Sequence, residues 1–140
     1  MRVVLDTNVC LDAFVFDDPR AAPLRAALES GSVEAVTRAD CREEWLAVLA
    51  YPTLKLDETR QAEAVARFDR LVTLLPDMTP EARPPRCRDP DDQKFLELAA
   101  ASGAAVLFSR DAEVLRLARR MARDGAFDIM KPEDWGALDR

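Results

Sequence analysis

Chemistry in this chain falls to carboxylates. The 140 residues include no histidine and only four glycines, which excludes Ser-His-Asp and Cys-His nucleophiles, a His-ligated zinc and the glycine-rich loops that cradle phosphate. Acids are abundant, with 26 Asp and Glu, and four of them have notable placements. The opening VVLDTNV puts Asp6 at the end of an apolar run, where an acid is either a turn residue bonding its own backbone or a ligand. Asp111 stands in the same relation to the run Ala105–Phe108, at the end of Ser109-Arg110-Asp111. At about 100° per residue, a helix starting near Asp40 gathers Cys41, Trp45, Val48 and Leu49 on one face, with Glu44 at its edge and Glu43 nearly opposite. A helix opening at Asp89 buries Phe95, Leu96, Leu98 and Ala99, with Asp92 over that face and Asp91 at its margin. Capping and the helix dipole account for Asp89; they account less well for Asp92, since a capping acid need not lie over the apolar stripe.

Asp6, Glu44, Asp92 and Asp111 therefore form a candidate set, two at strand ends and two on inward helix faces. An acid at a core boundary is costly unless a partner, a cation or a raised pKa compensates it. Magnesium and manganese take hard oxygen ligands and combine a few carboxylates with water and substrate phosphate. Such a site supports phosphodiester hydrolysis without histidine, and other metal-dependent phosphoryl chemistry equally.

The elements that must position these acids alternate between strand and helix. Strands are predicted at Arg2–Leu5, Val33–Thr37, Ala105–Phe108 and Phe127–Met130, from short β-branched and aliphatic runs. Helices are predicted at about Arg20 to Glu29, Asp40 to Tyr51, Glu58 to Leu75, Asp89 to Ser102 and Asp111 to Arg123, with a short terminal helix carrying Trp135. A loop rich in Asp and Pro is expected after the first strand, and a second, long loop around Pro76, Pro80, Pro84 and Pro85; loops of that length are often functional. The alternation predicts an α/β fold, a parallel sheet with helices on both faces, whose ligands sit beyond the carboxyl ends of the strands where strand order reverses.

VVLDTNV, EEWLAVLAYPTL, CRDPDDQKFLELAAASGA and LFSRD, in this order and spanning most of the chain, resemble the PIN-domain nucleases, in particular the bacterial toxin components of toxin–antitoxin pairs related to the VapC-like toxins. The resemblance implies a three-layer α/β/α fold with a central, mainly parallel twisted sheet and a metal-dependent ribonuclease using Mg2+ or Mn2+. It carries the family's acids onto Asp6, Glu44, Asp92 and Asp111, with Thr7, Asn8 and Ser109 as supporting polar groups. It also implies homodimers and an antitoxin that blocks the active site. Glu113 stands where many relatives have a second Asp, and Asp89 and Asp91 crowd the cluster, so which of the three neighbouring acids meets metal stays open. Arg110, beside the proposed site, is the candidate contact to RNA phosphate.

Length predicts one domain spanning residues 1–140. Three cysteines, Cys10, Cys41 and Cys87, with no CxxC, read as small apolar fillers. The N-terminus lacks the pattern of a signal peptide and no apolar run could span a bilayer, so the expected compartment is the cytoplasm. The net charge of −6 argues against a polyanionic partner only until bound cations are counted. Two rival readings are a phosphatase with Asp6 as nucleophile, which would want a second Asp where Asn8 stands, and a non-catalytic module binding protein or RNA.

Overall fold

In the computed structural model, which describes residues 1–80 and 82–138, the opening run forms β1 (Arg2–Leu5) with Val3, Val4 and Leu5 buried. Successive side chains leave a strand on opposite faces, and Val3 and Leu5 enter one core cluster while Val4 enters the other. β2 (Glu34–Thr37), β3 (Val72–Leu74), β4 (Val106–Phe108) and β5 (Asp128–Met130) complete a five-stranded sheet in the order β3-β2-β1-β4-β5. All of its pairings are parallel. Such a sheet must be covered on both faces. Helices α1 (Thr7–Phe14), α2 (Ala22–Ser30), α3 (Ala39–Leu49) and α4 (Glu58–Leu71) supply the core on one side. On the other lie α5 (Gln93–Ser102), α6 (Ala112–Leu115) and α7 (Ala118–Arg123). The chain then turns through Pro132–Asp134 into α8 (Trp135–Leu138), whose Trp135 packs edge-on against Phe108. The three-layer α/β/α expectation is met.

Two features of this frame position the acids. Strand order reverses between β1 and β4, and their register sets Leu5 beside Phe108, so Asp6 and Ser109 leave the sheet at one level. The Asp6 amide donates to the Phe108 carbonyl (3.0 Å), carrying the pairing one residue past the strands. On the helical side, Trp45 stacks on Phe68 with ring centroids 5.3 Å apart, and Phe14 meets both edge-on. Aromatic pairs of this kind add about 1 kcal/mol each beyond simple burial; here they lock α3 against α1 and α4 and so fix where Glu44 stands.

Three local expectations are corrected. No helix is expected between β1 and the loop at Asp17-Asp18-Pro19, yet α1 lies there: Asp6 caps it, accepting from the Val9 amide at 2.9 Å, and Val9, Cys10, Leu11, Ala13 and Phe14 are its buried residues. The helix expected to reach Leu75 ends at Leu71, and Val72–Leu74 adds to the sheet edge as β3, because the β-branched Val72 and Thr73 favour pairing with β2. The helix expected over Asp111 to Arg123 breaks at Arg116 and Leu117 into α6 and α7. Among the described residues no helix is long and apolar enough to cross a membrane.

Candidate metal centre

Asp6 is 3 % exposed and fully engaged by neutral donors. Its Oδ1 accepts from the Val9 amide (2.9 Å) and its Oδ2 from the Ser109 hydroxyl (2.5 Å). The same Ser109 oxygen accepts from the Asp111 amide (3.0 Å), so one buried hydroxyl couples the two strand-end acids. Burial pushes the Asp6 carboxyl up to about 6, against the pull of these hydrogen bonds and with a further push from the Asp111 charge. Neither bond brings a positive charge.

Asp111 caps α6, its Oδ1 accepting from the Glu113 amide at 2.8 Å. Across from it, Asp89 starts a 3-10 turn, Pro90–Asp92, that leads directly into α5. This turn delivers Asp92 to the crevice. Asp89, Asp92 and Asp111 each place a carboxylate oxygen within 4.8 Å of the others. Like charges this close oppose ionisation; burial first, then the charges of Asp111, Asp89 and Asp6, push Asp92 up to about 7. Its Oδ2 is buried with no hydrogen-bond partner among the described residues. A buried acceptor left unmatched is costly, and carboxylate oxygens converging on one point are the donor set a hard divalent cation takes. The residues fit Mg2+ or Mn2+.

The remaining candidates stand around this trio. Glu44 lies outside it: one oxygen accepts from the Thr7 hydroxyl and the other from Lys94 Nζ at 2.9 Å. The facial reading that set Glu44 apart from the exposed Glu43 agrees with its half-buried position. The Thr7 hydroxyl, expected beside Asp6, donates to Glu44, and Asn8 is exposed. Asp91 is exposed too and contributes its backbone carbonyl to Lys94. Asp89, read from sequence as a cap, both caps the turn and joins the trio.

Arg110 requires a correction. Its side chain is 17 % exposed and its guanidinium is held by Asp12 and, at 2.9 Å, by Glu133. Those bonds brace α1 against the Pro132–Asp134 turn and leave Nη2 buried with no hydrogen-bond partner among the described residues, so Arg110 stands as a paired, largely buried group rather than as an open cation at the rim. Lys94, Asp12 and Glu133 were missed from the sequence. Lys94 lies 50 residues from Glu44 and Asp12 lies 98 from Arg110, separations that leave no local pattern to read.

The sequence matches the PIN domain family over residues 2–113. No curated protein matches it. Among solved structures, a chain in the crystal structure of VapBC2 from Rickettsia felis bound to a DNA fragment from their promoter is similar, with a TM-score of 0.56 over 92% of this chain and 97% of that one. At 12% identity that likeness is one of fold. With a parallel α/β/α frame, an acid cluster at its switch point and a family match over most of its length, the chain belongs to the PIN domain family.

Proposed function

We propose that this protein is a divalent-metal-dependent ribonuclease, hydrolysing RNA phosphodiester bonds in the cytoplasm as the toxin of a toxin–antitoxin pair. The observation that carries the reading is the trio Asp89, Asp92 and Asp111, with a buried and unmatched Asp92 oxygen at the reversal point of the sheet. These three side chains hold the cation, Mg2+ or Mn2+. Bound there, it supplies Lewis acidity toward water and the phosphodiester and offsets the negative charge at phosphorus.

Asp6 completes the acid set beside the trio and orients Asp111 through Ser109. Glu44 forms the far rim, its carboxylate aligned by Thr7 and Lys94. Asp6, Glu44, Asp92 and Asp111 are thus the residues assigned to catalysis, with Asp89 as an additional ligand. The antitoxin and the homodimer are assigned by family resemblance, and the fold likeness to a chain of the VapBC2 structure supports the antitoxin.

The test is cleavage of RNA by purified protein in Mn2+ or Mg2+ and in chelator, with Asp6→Asn beside wild type. Cleavage that needs both metal and Asp6 supports the reading. Neither cleavage nor calorimetric metal binding would replace it with the non-catalytic binding module.

A further inference from the structure

An RNA strand approaching this centre meets carboxylates first, and a chain with a net charge of −6 must supply cations near them. Two cations near the site are already paired, Lys94 with Glu44 and Arg110 with Asp12 and Glu133. Two others stand at the rim in a different condition. Arg88 directly precedes Asp89, a member of the trio, and its side chain is 74% exposed. Arg116 lies one helical turn beyond Glu113 with its side chain 57% exposed. Both face Glu113: Arg116 Nη2 is 3.2 Å from one carboxylate oxygen and Arg88 Nε is 4.0 Å from the other. Glu113 is itself anchored to the trio, its amide donating to Asp111 Oδ1.

We infer that Arg88 and Arg116 form a phosphate-binding rim for the single-stranded RNA backbone, with Glu113 as their counter-ion in the absence of RNA; this rests on the ribonuclease reading above. Exposed ion pairs are weak, so both guanidiniums can exchange Glu113 for phosphate, which a guanidinium fork binds through two parallel hydrogen bonds. The bond to Asp111 fixes Glu113 beside the metal centre, so the arginines rest there until RNA displaces the pair. Glu113 is then a competitor of phosphate, a role distinct from that of a metal ligand. Contacts of this type grip every RNA sequence alike.

Binding of a labelled single-stranded RNA in chelator, followed by fluorescence anisotropy across a salt series, tests the rim. Each phosphate contact contributes a slope of about 0.7 in log affinity against log salt for single strands, so Arg88→Gln with Arg116→Gln lowers the slope by about 1.4. In Mn2+ the same double variant raises KM for RNA severalfold with kcat unchanged, and calorimetric Mn2+ affinity stays within about twofold. Glu113→Gln raises RNA affinity by roughly twofold, as loss of a weak competing pair should. Arg123→Gln, beside Asp124 at the far end of α7, leaves the slope as in wild type. A double variant with wild-type slope and KM, or an equal drop from Arg123→Gln, overturns the rim while leaving the ribonuclease reading intact. Wild-type protein that neither binds nor cleaves RNA overturns both.

Discussion

Arg110 and Asp111 are neighbours in the chain, yet each leads into a different group of acids. Around Arg110, Asp12 and Glu133 close on one guanidinium and tie α1 to the Pro132–Asp134 turn. Around Asp111, Asp89 and Asp92 bring two more carboxylates, and among the described residues none of the three forms an ion pair with a guanidinium. Both groups lie at the same end of the sheet and both are partly buried. What separates them is counter-charge. The first group shares a guanidinium from within the chain and holds the fold together. The second is left in mutual repulsion, which costs stability and persists where a site must accept a charge from outside. A count of acids would not tell them apart; the partners of each oxygen do.

Removing one charge from each side of that contrast should have opposite consequences. Asp92→Asn is expected to lower RNA cleavage by on the order of 100-fold or more, since metal-borne charge stabilisation amounts to several kcal/mol. The same variant should raise the stability of metal-free protein by about 1 kcal/mol, because it relieves a repulsion retained for function. Activity at the wild-type level, or a lowered urea midpoint in chelator, would break the contrast. Arg110→Met should do the reverse, stranding Asp12 and Glu133 and lowering stability by about 2 kcal/mol, less than for a fully buried pair because Glu133 is partly exposed. A urea midpoint unchanged in Arg110→Met would show that the first group is not structural.

A pH series sharpens the comparison further. Asp92, pushed up to about 7, and Asp6, pushed up to about 6, keep protons in the folded protein that an unfolded chain loses near pH 4. The folded state therefore binds more protons between about pH 4 and pH 7, and its stability falls as pH rises through that window. The acids held low by arginine partners, Asp18, Asp40 and Glu29, act in the opposite sense only below it. In chelator the urea midpoint should be higher at pH 5.5 than at pH 7.5. Saturating Mn2+ should raise the pH 7.5 midpoint more than the pH 5.5 one, because cation binding displaces those protons. A midpoint in chelator that rises with pH would contradict the uncompensated cluster.

Smallest of all should be the effects of the outward acids. Glu43→Gln and Asp91→Asn are expected to change cleavage less than about threefold, as suits exposed side chains outside the trio. Equal losses from Glu43→Gln and Glu44→Gln would undo the facial assignment on α3.

Much of this arrangement was legible before any coordinates. Runs such as Val3-Val4-Leu5 and Val106-Leu107-Phe108 are apolar on both faces, as a parallel sheet covered on both sides requires, and the acids that follow each run marked the end of the sheet where the carboxylates gather. Helical angles separated Glu44 from Glu43 because burial on one helix is a local property; Asp91 and Asp92 stand instead on the 3-10 turn ahead of α5, outside the helix expected from Asp89. α1 escaped notice because Asp6 serves at once as strand end and helix cap, leaving none of the usual spacing between elements. β3 was hidden by its three residues at the end of a long helical pattern. The charge partners were illegible for a different reason: whether an acid is neutralised depends on side chains 50 or 98 residues away, and the fold alone decides that. Arg110 illustrates it, since its place beside the proposed site suggested a contact to RNA phosphate, and in the fold it pairs with Asp12 and Glu133.

The central claim is that the acids without an internal cation are the ones that bind an external one. It is tested most directly by calorimetric titration of Mn2+ into wild type, Asp92→Asn and Asp12→Asn at pH 7.5. Asp92→Asn should lose most of the binding, while Asp12→Asn should keep the wild-type affinity within about threefold, since it touches only the arginine-paired group. Equal binding by wild type and Asp92→Asn, or an equal loss in the two variants, would contradict it.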